Sequence, residues 1–354
     1  MTKYSILTLP LWILNCGTAP NSTSTESGRN SQDSPNYVDL ELSSDAKFLL
    51  VNQINDEENG IQMNGLSLRE AIAIANQNSK IEIIQFDPKL AGKVIPLTKG
   101  QISIKSSIKL VAPPLGVTID AGTRSRIFRI SQENSDIQVW LENLNFKNGV
   151  APDEGIGVGS TGFEYPNIRG GAIYNTENLT IVRSTFFNNK ALRGGAIVSD
   201  GGSLTVSQSQ FTENRAGEFG GGIVFDTGSF MTVEDTLFTN NEAGTIQIIS
   251  TSLPNYSVPV SRYLGGAIVV DPESYTLKRV TFSSNRATNG GAVYHFQSMG
   301  LMEDCLFKSS NSATSAGQAI WSFAGTLSLV RTEFEVPIGE AIFNLNGKTK
   351  VEQL

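Results

Sequence analysis

Three aspartates, Asp200, Asp226 and Asp271, stand at equivalent places in consecutive repeats of this chain. Carboxylates held ~5 Å apart repel and raise one another's pKa unless a cation lies between them. The column is therefore a candidate calcium site, although Asp200-Gly201 and Asp271-Pro272 are also ordinary turn signals that need no metal. The remaining reactive inventory is thin. One histidine, His295, and two cysteines, Cys16 and Cys305, are too few for a CxxC zinc site or a disulfide framework. A Ser-His-Asp machine would have to be built on His295, and no cofactor signature is present. A net charge of −7 with no lysine or arginine cluster argues against nucleic acid as a partner.

The elements that must position these residues follow from composition and repetition. Charged residues make up 17% of the 354, below the usual ~25%, and glycine is abundant at 34, which is a strand and turn composition. A Gly-Gly-Ala-Ile-like block ends at Ile173, Ile197, Ile223, Ile268, Val293, Ile320 and Ile342, in steps of 24, 26, 45, 25, 27 and 22 residues. A second block, phenylalanine followed three residues on by asparagine or a small residue, recurs at Phe146, Phe186, Phe211, Phe238, Phe282, Phe307 and Phe334. Between them run segments with period-two alternation, and no window is long enough for a crossover helix. Each unit of ~25 residues is too small to close a core by itself, whereas stacked coils pair every strand with those above and below.

The fold expected is all-β, a single-stranded parallel β-helix over 101–350, preceded by a capping region at 45–100. Within that region Leu68, Ala71, Ile72 and Ala75 share one helical face over 67–78, and Ser67 with Glu70 reads as a capping box. The phenylalanines from Phe186 to Phe334 should stack inside. Asn189, Asn214, Asn241 and Asn285 should form a ladder at one turn, where asparagine tolerates left-handed backbone and its amide can reach the next coil. At an outer corner, Arg183, Gln208, Asp235, Arg279, Asp304 and Arg331 predict an exposed ion-pair ladder. Cys305 falls on an inward column and should be a buried free thiol.

Two coils carry insertions of about 16–19 residues at the same corner, between Asn148 and Gly170 and between Asn241 and Gly265. They hold Phe163 and Tyr165 on one side, Tyr256 and Tyr263 on the other, which suit a binding groove rimmed by aromatics. A second candidate surface is the column Tyr174, Val198, Val224, Val269, Tyr294, Trp321 and Phe343. It should face outward yet is apolar, so either loops and tail cover it or Tyr174, Tyr294 and Trp321 touch a ligand. The ligand chemistry that fits is a glycan or an extracellular protein.

Residues 1–16 combine a basic start, a short apolar run and Asn15-Cys16-Gly17, which describes an export signal; 17–44 is a polar tether. Ile13-Leu14-Asn15-Cys16 resembles a bacterial lipobox, and that resemblance implies lipidation of Cys16 and a membrane attachment through the lipid alone. The Gly-Gly-Ala-Ile and Phe-x-x-Asn blocks resemble the polymorphic outer membrane protein repeat. Gly65-Leu66-Ser67-Leu68-Arg69-Glu70-Ala71-Ile72 is similar to the CSLREA motif, with Leu66 in place of its cysteine. The resemblance implies a right-handed, pectin lyase-like coil at the cell envelope, exported to the outer membrane or cell surface, and brings no catalytic residue. The function expected is non-enzymatic adhesion or partner binding. The alternative is a polysaccharide lyase or glycoside hydrolase, which such coils also carry, but the Asp-Asp pair and Gly-His-Gly of the galacturonases are missing.

Overall fold

The computed structural model describes residues 47–58, 65–133, 136–151, 168–244, 263–271 and 273–352. The expected export signal with Cys16, the expected tether at 17–44, and most of both insertions, including Phe163, Tyr165 and Tyr256, lie outside these described residues.

Every strand pairing is parallel, and beyond the first pair of strands, Lys47–Val51 with Ile81–Phe86, the neighbours are non-consecutive strands. One coil shows why. From Ile173–Asn175 the chain passes through Asn178–Val182, Thr185–Phe187 and Lys190–Arg193, then re-enters the first position at Ile197–Ser199. Repeating this path builds four sheets. Sheet one has eleven strands from Lys47–Val51 to Lys348–Glu352, and sheet two has nine, ending at Ile342–Leu345. Sheet three has nine, ending at Glu333–Phe334, and sheet four has five, from Lys190–Arg193 to Ser312–Ala316. The chain is a right-handed parallel β-helix.

Alternation sends one parity of each strand into a common core, and the repeats lay equivalent side chains on each other. Phe146, Phe186, Phe211, Phe238, Phe282, Phe307 and Phe334 form a continuous internal stack, with ring centroids 4.6–5.3 Å apart. Beside it runs the asparagine ladder. Asn214 Nδ2 donates to Asn241 Oδ1 (2.9 Å) and to the carbonyl of Phe186 (3.0 Å), while Asn214 N–H donates to the same Oδ1 (3.1 Å). The pattern continues through Asn285 to Asn311, which the sequence reading missed because it follows Phe307 by four residues instead of three. The left-handed geometry expected of these asparagines belongs one residue earlier, to Asn188, Glu213, Asn240 and Ser284, leaving the ladder residues free to turn inward.

The outer corner holds its ion pairs. Arg279 Nε donates to Asp235 (2.6 Å) and Arg331 Nε to Asp304 (2.6 Å), and both guanidiniums also reach back to Glu234 and Glu303. All six corner residues have positive φ, between 45° and 53°. Cys305 is buried, and burial pushes its thiol up to about 12.

The open end of a solenoid exposes core and strand edges, and at the N-terminal end a helix, α1 (Leu68–Gln77), closes it. The expected capping box is formed: Glu70 N–H donates to Ser67 Oγ, and Ser67 N–H to the Glu70 carboxylate. Leu68, Ala71, Ile72 and Ala75 enter the core. Arg69 is structural as well, gripping Asp56 and the carbonyls of Gly100 and Gln101.

Candidate functional site

The outward face of sheet two gathers most of the described candidate residues. Its first outward column runs Arg129, Tyr174, Val198, Val224, Val269, Tyr294, Trp321, Phe343, in register from coil to coil. The Gly-Gly turns explain why so many of these apolar side chains are not wet. The first glycine of each pair has φ near +60°, and a Cβ there would lie 2.5–2.7 Å from the Cγ2 of Val198, Val224 or Val269. Only glycine lets the turn fold back over the valine that follows it. The column is thereby buried from Tyr174 to Tyr294 and forms an apolar cluster separate from the main core, packed with Phe219 and Leu264. Among the described residues, the Gly-Gly turns together with Phe219 and Leu264 contribute to this cover. Tyr174 and Tyr294 are 6% and 8% exposed, so neither offers an open ring to a ligand; Trp321 is half-buried.

Two residues further on, a second outward column passes from Thr176 through Asp200, Asp226 and Asp271 to Phe296 and Phe323. It changes from acid to aromatic between adjacent coils. The charge between the first two aspartates is an arginine that the sequence reading overlooked. Arg169 Nη1 lies 2.8 Å from Asp200 and 3.3 Å from Asp226. Tyr174 and Thr227 add hydroxyl donors to Asp200. Arg169 immediately precedes Gly170-Gly171, as Arg193 precedes its own glycine pair, and that shared position was the available signal. Arg193 itself points elsewhere, to the buried Glu218 (2.8 Å).

Among the described residues no salt bridge reaches Asp271, and no group of three or more His, Cys, Asp and Glu is arranged to hold a metal ion. Desolvation, reinforced by the charge of Asp226, pushes the Asp271 carboxyl up to about 6. Burial and Asp271 together push Tyr294 up to about 12. An acid retaining its proton into mildly acidic conditions thus lies beside a neighbouring carboxylate, at the edge of an aromatic block.

That block has a definite orientation. Tyr294 and Trp321 stack at 4.6 Å and 6°, Phe296 and Phe323 at 5.3 Å and 9°, and Trp321 and Phe323 are coplanar within 3° at 5.8 Å. Ring faces are spent on each other along the stack, so the block presents mainly ring edges to its surroundings. Sugar stacking needs open faces, whereas an apolar or aromatic surface can pack on edges.

Two further described residues are placed as follows. Tyr263, at the end of the second insertion, packs over Gly244 at its start. His295 lies inside the coil, fully buried, with Nδ1 3.0 Å from the Tyr275 hydroxyl, and burial lowers its pKa to about 4. It faces the core.

Comparison with known proteins gives two matches. Residues 123–258 match the model of a right handed beta helix region, and residues 279–295 match the Chlamydia polymorphic membrane protein repeat. No curated protein and no solved structure matches the chain.

Proposed function

We propose that this chain is a bacterial surface protein that binds an extracellular protein partner, without catalysis, through the outward face of sheet two. The polymorphic membrane protein repeat at 279–295 supports a place at the cell surface or outer membrane. Lipidation of Cys16, read from the lipobox-like Ile13-Leu14-Asn15-Cys16, would anchor it there. The observation that carries the binding reading is the junction on sheet two where Asp271, which no salt bridge reaches among the described residues, adjoins the edge-on rings of Phe296 and Phe323 and of Tyr294 and Trp321 in the column beside them. A protein surface carrying a cationic side chain among apolar ones would satisfy both halves. The stacked rings leave less for a glycan to use.

The test is a binding screen of the full chain against extracellular-matrix proteins and against acidic and neutral glycans, with calcium and with chelator. Saturable binding to a protein, weakened at least about tenfold by Trp321→Ala and by Asp271→Asn, is the expected result, corresponding to ~1.4 kcal/mol at each position. Binding only to glycans, or binding that both substitutions leave unchanged, overturns this reading. Loss of binding in chelator would restore calcium to the acidic column.

A second reading, polysaccharide cleavage, draws on one observation: Asp271, an acid near pH 6, stands next to Asp226 as a general acid stands next to a base. Release of new sugar ends by the intact protein, abolished by Asp271→Asn, would establish it in place of the first.

A further inference from the structure

Sheet two sends one inward column through the core as Asn175, Ser199, Phe225, Val270, His295 and Ser322, in register from coil to coil. Its first two members satisfy each other: Asn175 Nδ2 donates to Ser199 Oγ (2.9 Å) and to the carbonyl of Glu177 (2.7 Å). Its last two do not. His295 and Ser322 are 0% and 1% exposed and stand opposite each other on adjacent coils, yet neither His295 Nε2 nor Ser322 Oγ has a hydrogen-bond partner among the described residues. Other buried serines of the coil, Ser184, Ser209 and Ser298, donate to the carbonyl two residues back, and Ser322 does not. Two orphaned polar atoms thus face one place inside an otherwise satisfied column, which is costly unless something there bonds to both.

The neighbouring groups decide where the imidazole proton sits. Tyr275 reaches His295 from sheet one by lying over Gly300, where a Cβ would come 2.4 Å from the phenol oxygen. Burial raises the pKa of that phenol, so it keeps its proton, and the acceptor it meets is His295 Nδ1 (3.0 Å). The neutral ring therefore carries its hydrogen on Nε2, as a donor. The carbonyl of Ala324 also acts on the ring, favouring its charged form, without forming a hydrogen bond to Nε2. We infer that a single internal water is held between His295 Nε2 and Ser322 Oγ as a fixed part of the core. It accepts from Nε2–H, exchanges a hydrogen bond with the Ser322 hydroxyl and donates to the carbonyl of Ala324. About three such partners is the usual complement of a buried water. Ser322 stands where the column elsewhere carries Phe225 or Val270, and its shorter side chain gives up space to the water. The chain of hydrogen bonds then runs unbroken from Tyr275 in sheet one, through His295, to Ser322 in sheet two.

Magnetic relaxation dispersion of the solvent counts the long-lived internal waters of the full chain and tests this. Ser322→Val removes the hydroxyl and fills its surroundings with a side chain that the column already accommodates at Val270. The variant is expected to hold one long-lived water fewer than the intact protein. A crystal structure of the intact protein needs no variant, and it is expected to show one ordered water within ~3.2 Å of both His295 Nε2 and Ser322 Oγ. An unchanged count in a folded Ser322→Val, or a crystal structure in which the Ser322 hydroxyl bonds directly to Nε2 with no water between them, would overturn the inference.

Discussion

Replacing Asn241 with alanine is the most direct test of what holds the coils in register. Asn241 is fully buried, and its side chain takes part in four hydrogen bonds. Its Oδ1 accepts from the N–H and Nδ2 of Asn214, and its Nδ2 donates to the carbonyl of Phe211 (2.8 Å) and to Asn285 Oδ1 (3.0 Å). Alanine removes all four and leaves the backbone N–H of Asn214 without that acceptor, in a place where water has little access. At ~1 kcal/mol net for each neutral bond the loss is about 4 kcal/mol. Unfolding entropy of ~2.1 cal/mol/K per residue, over the roughly 260 residues described, converts this to a fall in melting temperature of about 7 °C. Differential scanning calorimetry measures it, and amide exchange should show the loss concentrated between Phe211 and Asn285. The neighbouring Asn240→Ala is the control: Asn240 is exposed at φ 55°, so the cost is confined to left-handed backbone, ~1 kcal/mol. Equal effects of the two substitutions, or a shift below about 1 °C for Asn241→Ala, would refute the ladder as a source of stability.

Three further outcomes follow from charge. Asp271 has a folded pKa near 6 against 3.8 when free, so its contribution is fully present below pH 3.8 and lost as pH rises through 6. Asp271→Asn should therefore raise the melting temperature at pH 7.5 and lose that advantage by about pH 4, with water at this exposed site limiting the gain to ~1 kcal/mol. His295 runs the other way: its pKa near 4 against 6.5 gives stability that is present above pH 6.5 and lost as pH falls toward 4, about 3 kcal/mol in all. His295→Gln should flatten that limb of a denaturant-midpoint series, and an unchanged limb would show that His295 is not its source. At the exposed corner, Arg279→Ala should cost no more than ~1 kcal/mol, most of it gone in 1 M salt; a larger, salt-insensitive loss would mean that the ladder sets register by more than charge.

The coil was legible in the sequence because its inward columns repeat the same chemistry at a fixed spacing. Phe186, Phe211 and Phe238 are identical residues at identical places, and Ser67 with Glu70 needs only one turn of helix to act. The outward side was legible only in part. Whether Val198 is wet or dry depends on how Gly194 folds back over it, a tertiary fact that no alternation pattern records. Arg169 went unnoticed because the first insertion separates it from the previous coil, although it shares its position with Arg193. Phe296 and Phe323 escaped notice because they continue a column that begins with aspartates, and a search for one residue type along a column stops where the type changes.

That change of type breaks the regularity of the outward column. A stacked coil repeats each outward position every ~4.8 Å, so a column of aspartates accumulates repulsion unless something interrupts it. Arg169 reaches Asp200 and Asp226, and the coil beyond Asp271 substitutes Phe296 for a fourth acid. Asp271 is left between these two remedies, with a carboxylate on one side and aromatic edges on the other. Its raised pKa follows from that position, through burial first and the charge of Asp226 second. A partner that brings a cation to this one place relieves the repulsion and covers the rings in the same contact, so its affinity should weaken as pH falls below 6 and Asp271 takes up its proton. A cationic partner that bound with equal strength at pH 5 and pH 7.5 would have to be held elsewhere on the coil.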